Sequence, residues 1–355
     1  MCHDLSEFSR KLCANISRWA DLKTDEQAFD ALALELFALQ IKYNPAYARL
    51  CANRGQQIKD WRQIPAMPAV AFKEMEMTSL PAEQRTTVFS SSGTTKRQRG
   101  RHFHSNESLG LYEESLYRWF RKLFRREMMN VRWLFLTPTG QDAPTSSLAH
   151  MFSTIAARAS EAESVFSGVV EFNDAWTLDY DKATEYLLES ERKRRSVAIL
   201  GTAFLFVNLL DALERTNLHI RLPENSWVME TGGYKGRSRE MPKQELHRSI
   251  TDRLGVAPNR IFGEYGMSEL SSQAYAGADG LFRFPPWARA QIISPATGCE
   301  ARAGERGLIR VYDLANVWSV MAVQTEDIGI SEGNGFRLVG RAAEAEARGC
   351  SLMTA

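Results

Sequence analysis

Apolar residues recur at helical spacing over residues 24–39, where Phe29, Leu32, Leu36 and Leu39 fall on one face, and Thr24 or Asp25 is placed to cap the first turn. Asn44-Pro45 ends that helix, and residues 47–51 predict a short second one. The stretch 64–75 holds Pro65 and Pro68 and is predicted to be extended. From there short apolar runs alternate with amphipathic stretches. Residues 86–89, 131–136, 167–172 and 197–200 predict strands, and 109–126, 147–159, 181–195 and 204–216 predict helices. This alternation implies a largely parallel sheet with helices on its faces. After about residue 281 the spacing shortens. Strands are expected at 290–293, 307–311, 317–323 and 336–338, separated by glycine and proline turns, which predicts a small β-rich subdomain.

Composition narrows the class. The chain has 355 residues, 44% apolar and 25% charged, the balance of a folded protein with a sizeable core. The formal net charge of +1 gives no global attraction to nucleic acid. Basic runs at 118–126 (RWFRKLFRR) and 192–195 (RKRR) read as solvated helix faces; the sharper alternative is a docking surface for an acidic carrier protein or reductase. No apolar run approaches the roughly 18 residues of a membrane span, and the N-terminus lacks the apolar stretch of a secretory signal. The five cysteines, Cys2, Cys13, Cys51, Cys299 and Cys350, are odd in number and scattered, with no C-x-x-C pair. That argues against a disulfide framework or a structural zinc site, points to a reducing cytoplasm, and leaves a thiol available as a nucleophile.

Three stretches carry candidate chemistry. Ser90 to Thr95 (SSSGTT) follows a predicted strand and offers hydroxyls and backbone N–H groups to an anion, without the spacing of a Walker loop. Glu264 to Glu269 (EYGMSE) sets a glycine beside an aromatic, then a hydroxyl and a carboxylate, a set able to stack a base and hold a magnesium ion. Asp327, in QTEDIG, could accept hydrogen bonds from a ribose. Each has a plainer reading on its own: a polar loop, a strand-to-turn junction, a turn aspartate.

Order and spacing together point further. The three stretches, with Gly340-Arg341 near the end, resemble the adenylate-forming superfamily of acyl-CoA synthetases, luciferases and adenylation domains. A narrower resemblance is to the acyl-protein synthetases (LuxE-type) of the fatty acid reductase complex. It rests on Asn44-Pro45 with Tyr47, IPAMPAVAFK (64–73), SSGTT with His102 downstream, Ser146-Ser147-Leu148, Gly201-Thr202-Ala203-Phe204, ETGGYKGR (230–237), EYGMSELSSQAY (264–275) and GRAAEAEARGCSL (340–352).

The resemblance implies an α/β fold: the large N-terminal domain of an adenylate-forming enzyme, sheets flanked by helices, with a β-rich C-terminal subdomain. It divides the chain into a helical region (1–80), a nucleotide- and acyl-binding core (81–280), a β-rich part (281–340) and a hinge-like tail (341–355). Because the chain stops soon after Gly340-Arg341, the small C-terminal lid domain is expected to be absent. The implied cofactors are ATP and Mg2+. Ser91, Ser92, Gly93, Thr94 and Thr95 would cradle the phosphates, with His102 acting at the phosphates or the carboxylate. Gly232 and Gly233 would line the adenine, with Tyr265, Gly266 and Ser268 beside the nucleotide. Glu269 would bind the metal, Asp327 the ribose, and Arg341 would mark the hinge. Phe204, Ser147 and His150 are the expected acyl contacts. Lys96 departs from the pattern, standing where the superfamily usually has glycine.

The implied reaction forms an acyl-adenylate from a carboxylic acid and passes the acyl group to a thiol, for which Cys350 is the candidate, and onward to an acyl reductase or carrier protein. Two alternatives remain open at this point. The acyl group could go to coenzyme A, a carrier protein or an amine with Cys350 structural, or the chain could be a catalytically silent nucleotide-binding scaffold.

Overall fold

The computed structural model describes residues 3–19, 25–52, 58–91, 99–159, 163–172, 175–233, 239 and 241–342. In chain order the N-terminal part holds α1 (His3–Trp19), α2 (Glu26–Tyr43), α3 (Pro45–Cys51), β1 (Met67–Pro68), α4 (Ala71–Glu74), β2 (Thr87–Ser90), β3 (Arg101–His104) and α5 (Asn106–Phe124). The middle holds β4 (Arg132–Phe135), α6 (Ser147–Arg158), β5 (Ser164–Phe166), β6 (Gly168–Val170), β7 (Trp176–Leu178), α7 (Tyr180–Arg192), β8 (Val197–Thr202), α8 (Ala203–Arg215), β9 (Trp227–Thr231), α9 (Lys243–Leu254) and β10 (Ile261–Tyr265). Six strands follow among the described residues: β11 (Ala274–Ala276), β12 (Phe282–Arg283), β13 (Ala288–Ile293), β14 (Arg306–Asp313), β15 (Ala322–Glu332) and β16 (Gly335–Arg341). The chain forms two compact units. The first comprises Met1–Trp119, Met267–Ala274 and Leu281–Ala355, and the second Phe120–Gly266 and Tyr275–Gly280.

In the first unit β13, β14, β15 and β16 pair antiparallel in that order, β12 adds to β16, and β1 lies parallel on β15. The core beside them is helical and aromatic. Leu5, Phe8, Leu12 and Ile16 of α1 and Phe29, Leu32 and Leu36 of α2 are buried at helical spacing, with Trp61, Trp287, Tyr312 and Trp318 in the same cluster. Asp25 is the cap of α2, accepting from the Ala28 N–H at 3.0 Å; Thr24 lies outside the described residues. Asn44 ends α2 and starts α3 at once. Its backbone N–H donates to Gln40 O, and its side chain accepts from the Tyr47 N–H at 3.1 Å. The Tyr47 hydroxyl donates to Pro65 O at 2.6 Å. The Asn44-Pro45-x-Tyr47 pattern is thus a chain-turning device.

The second unit is built on a parallel sheet in the order β5, β4, β8, β9, β10. Every residue of β4, β8 and β9 is buried, as expected of strands covered on both faces. Leu205, Phe206, Leu209 and Leu213 of α8 and Leu246, Ile250 and Leu254 of α9 pack on Ile199 and Val228. At the opening residue of β4, Arg132 is held by Glu163, Glu189 and Ser190 and lies over the Tyr186 ring. That satisfied cluster is structural and sits at the amino end of the strand.

Several expectations shift. Residues 317–321 are a buried loop, and only the last two positions of the expected strand 317–323 belong to β15, which begins at Ala322. The amide of Gln40 donates to Asn316 O at 2.8 Å, and its oxygen accepts from the Met321 N–H at 3.1 Å. One side chain thereby serves backbone groups that strand pairing would otherwise satisfy. The stretch 64–75 is extended at Ile64, pairs as β1 at Met67–Pro68, closes into the short helix α4 and is extended again at Met75. Residues 101–104, at the end of the basic stretch after SSGTT, form β3, paired antiparallel to β2 from Thr87↔His104 to Ser90↔Arg101.

Candidate active site

Within the first unit the ends of the β2–β3 pair form a gate. The Ser91 N–H donates to Gly100 O at 2.9 Å, and the Gly100 N–H donates to Ser91 Oγ at 2.7 Å. Ser92, Gly93, Thr94 and Thr95, expected at the phosphates, lie outside the described residues, as does Lys96. What is described is where that segment starts and ends. Gly100 has a steric reason to be glycine: a Cβ there would stand 2.7 Å from Glu269 Oε1 and 3.2 Å from Ser91 Oγ. Ser91, Gly100 and Glu269 are therefore close neighbours.

Glu269 is 4% exposed, and its Oε2 accepts from Ser268 Oγ at 2.9 Å. Burial raises its pKa; the Ser268 hydroxyl, the residue's own backbone and the charges of Lys73 and Arg341 oppose that rise. Arg341 also reaches Asp327, Nε to Oδ1 at 3.3 Å, across the β15–β16 register that sets these two residues opposite each other. Ser91 and Gly100 thus stand at the Glu269 carboxylate, the charges of Lys73 and Arg341 act on it, and Arg341 in turn pairs with Asp327. A magnesium ion travelling with phosphates needs only one or two protein carboxylates, and a single one beside two cations suits a metal–triphosphate better than a lone ion. Among the described residues no group of three or more His, Cys, Asp or Glu could hold a metal by itself.

His102, expected at the phosphates or the carboxylate, lies on β3. It is buried, its Nδ1 lies 2.9 Å from Ser268 O, and its ring is 4.3 Å from that of His104. Burial pushes its pKa down to about 4, so the ring is neutral.

The second unit brings other expected residues to the carboxyl ends of its parallel strands, where α/β sheets bind ligands. Thr202 pairs with Thr231, and Thr231 with Glu264, so the ends of β8, β9 and β10 stand side by side. Gly232 follows β9 with φ of 65°, a backbone conformation that favours glycine, and no atom of the described residues lies within 4 Å of where a Cβ would project. Tyr265 is buried at the end of β10 with Gly266 next to it. The Thr231 hydroxyl donates to the Glu264 carboxyl. Burial raises Glu264 to about 7, and the neighbouring Glu230 charge adds to the rise. Glu230 is itself paired with Lys243 at 2.7 Å and His247 at 3.5 Å. Ser147 and His150 lie in the first turn of α6, which Ser146 caps through the Ala149 N–H at 3.2 Å. Phe204 is the second residue of α8 and is buried in the core of this unit. Cys350 lies outside the described residues.

These features match a known family over nearly the whole chain: residues 16–355 match the family described as acyl-protein synthetase, LuxE. The chain belongs to the acyl-protein synthetase family. A long-chain-fatty-acid–luciferin-component ligase of Aliivibrio fischeri is 21% identical over 312 residues, covering 85% of this chain and 78% of that protein. Its counterpart from Vibrio harveyi is 19% identical over 352 residues, covering 94% and 89%. Among solved structures, 2-hydroxyisobutyryl-CoA ligase in an open conformation with 2-HIB-AMP and CoA superposes with a TM-score of 0.65 at 13% identity, over 89% of this chain and 74% of that one. An ATP-bound RpMatB-BxBclM chimera gives 0.50 at 17% identity, over 74% and 49%. At such identities the structures show the fold, that of adenylate-forming ligases. The synthetase is accordingly an acyl-adenylate-forming ligase with a mixed α/β fold. Among its described residues no helix is long and apolar enough to cross a membrane.

Sequence reasoning named Glu269, Ser91, Asp327 and Arg341 but not Gly100, nor Lys73 as a site charge. Lys73 closes the IPAMPAVAFK stretch, and a basic residue ending an otherwise apolar motif was the available signal. Gly100 had none, since its partner is 169 positions away in the chain.

Proposed function

We propose that the synthetase condenses a carboxylic acid with ATP at the Glu269 cluster and then transfers the acyl group to the thiol of Cys350. The observation that carries this reading is the convergence, in one unit, of the phosphate-loop gate Ser91–Gly100, the buried Glu269 and the cations Lys73 and Arg341. The acid's carboxylate oxygen attacks the α-phosphorus, the bond to the bridging oxygen breaks, and pyrophosphate leaves. Glu269 would hold a magnesium ion, which supplies charge neutralisation for the departing pyrophosphate. Lys73 and Arg341 add fixed positive charge, and Ser91 with its loop supplies donors to the phosphate oxygens. Asp327, paired with Arg341, would take the ribose hydroxyls as acceptor.

Within the second unit the reading assigns Gly232, Gly233, Tyr265 and Gly266 to the adenine, and Ser147, His150 and Phe204 to the acyl chain. The thiolate of Cys350 then attacks the acyl carbonyl of the mixed anhydride, forming a thioester and expelling AMP. A reducing, cytoplasmic setting keeps that cysteine a thiol. The curated relatives' names point to a long-chain fatty acid as substrate, and an acyl reductase or carrier protein as the onward acceptor follows from the thioester's reactivity.

Pyrophosphate–ATP exchange across a panel of carboxylic acids tests the first half. Exchange that needs both an acid and magnesium, strongest with long-chain acids, is expected. Folded protein that exchanges with no acid would overturn adenylation.

A further inference from the structure

The loop carrying Glu269 is gripped by its own carbonyls. Ser268 O, just before the Glu269 Cα, faces His102 Nδ1 at 2.9 Å. Glu269 O, just after it, accepts from Asn316 Nδ2 at 2.9 Å. The donors come from separate places: β3, and the turn that follows β14. Beyond them Asp313 accepts from the Ser271 N–H at 2.9 Å and from Ser272 Oγ at 2.7 Å, so the segment after Glu269 is anchored as well. The side chain inherits this order. One carboxylate oxygen is fixed by Ser268 Oγ, and the other points at the Gly100 face of the gate.

We propose that His102 and Asn316 are positioning residues for the acyl-adenylation reaction: by holding the two carbonyls on either side of the Glu269 Cα, they fix the carboxylate in its metal-binding orientation. The proposal rests on the nucleotide reading above. A carbonyl only accepts, so His102 Nδ1 must carry the ring proton. The neutral ring keeps this single donor, because burial disfavours the charged form. Asn316 has its amide orientation set by three partners: its oxygen accepts from Ser271 Oγ at 2.7 Å, and its nitrogen donates to Glu269 O and, at 3.0 Å, to Val320 O. Neither side chain needs to touch substrate. Each acts through the backbone of the residue between them, as supporting partners of metal ligands do.

The pair His102→Leu and His102→Asn separates positioning from packing, since the asparagine amide can place a donor where Nδ1 stands and leucine cannot. In His102→Leu the Mg2+ concentration for half-maximal pyrophosphate exchange is expected to rise about tenfold or more, as outer partners of metal ligands typically give 10–100-fold effects. Affinity for Mn2+–ATP by calorimetry should fall by a similar factor. His102→Asn should recover both to within about threefold of wild type. Asn316→Asp keeps the acceptor for Ser271 but loses the donor to Glu269 O, and should shift the Mg2+ midpoint in the same direction even if His102→Leu fails to fold. 15N NMR of wild type should show the Nδ1–H tautomer at His102, and an Nε2–H ring overturns the proposal. So do folded His102→Leu or Asn316→Asp proteins that keep the wild-type midpoint and affinity. Wild-type protein that binds no Mn2+–ATP sinks the nucleotide reading itself, and the proposal with it.

Discussion

At the scale of single residues the cluster is narrow enough for a methyl group to matter. Gly100 lies outside the left-handed φ region in which only glycine is comfortable, so Gly100→Ala carries a steric cost and little conformational one. The added carbon would sit 2.7 Å from Glu269 Oε1, and either the carboxylate or the β3 backbone must move. Pyrophosphate exchange by Gly100→Ala is expected to fall at least about tenfold, as misplacement of a positioned group commonly does, with a melting temperature within a few degrees of wild type. Glu269→Gln keeps the shape and removes the charge. It should abolish most Mg2+-dependent exchange and raise stability slightly, because a buried carboxylate no longer needs desolvation. If Glu269→Gln exchanged at the wild-type rate, the metal assignment would be wrong. Glu269 was legible in the sequence because its motif is local. Gly100, Asn316 and the positioning part proposed for His102 were not, because each rests on contacts between segments far apart in the chain, which periodicity and spacing do not register.

Among the elements, legibility followed burial pattern. The strands at 131–136 and 197–200 announced themselves as unbroken apolar runs, which parallel strands covered on both faces require. The face of α2 showed through its spacing. Helix α1 went unread although Leu5, Phe8, Leu12 and Ile16 fall on one stripe, since Ser6 and Ser9 are buried among them and blur the contrast. β3 was masked by its charges, and the apolar run 317–323 misled because a loop can be as buried as a strand when a side chain such as Gln40 satisfies it. Asn44 illustrates a family pattern with a structural reason. Asn44→Ala should cost about 1–2 kcal/mol through the lost cap, read by urea unfolding, while exchange per folded molecule stays at the wild-type level.

The paired strands β9 and β10 carry a pH prediction. Glu264 has a folded pKa of about 7, raised from 4.5 by burial. The folded state therefore holds the proton more tightly than the unfolded chain. The stabilisation is complete below about pH 4.5 and is lost as pH rises through 7. Over that window wild type should lose about 3 kcal/mol relative to Glu264→Gln. Parallel urea curves for the two proteins at pH 5 and pH 8 that keep a constant gap would refute the shifted ionisation.

On the scale of the whole molecule the proposed reaction has two chemically distinct steps, and on that proposal they part at Cys350. Adenylation needs no thiol: its nucleophile is the substrate carboxylate and its leaving group pyrophosphate. Thioester formation needs the thiol and nothing further from ATP, since the adenylate already holds an activated carbonyl. Cys350→Ser should therefore exchange pyrophosphate as wild type does, yet keep no radiolabelled acyl group after denaturation, whereas wild type carries a label that neutral hydroxylamine removes. The labelling rate in wild type should climb with pH toward the ordinary thiol pKa of about 8.5, because only the thiolate attacks, while exchange stays comparatively flat over the same range. Label retained on Cys350→Ser would move the acceptor to another residue. Label absent from wild type, with exchange intact, would make the final acceptor an external thiol or amine and leave Cys350 with a structural part.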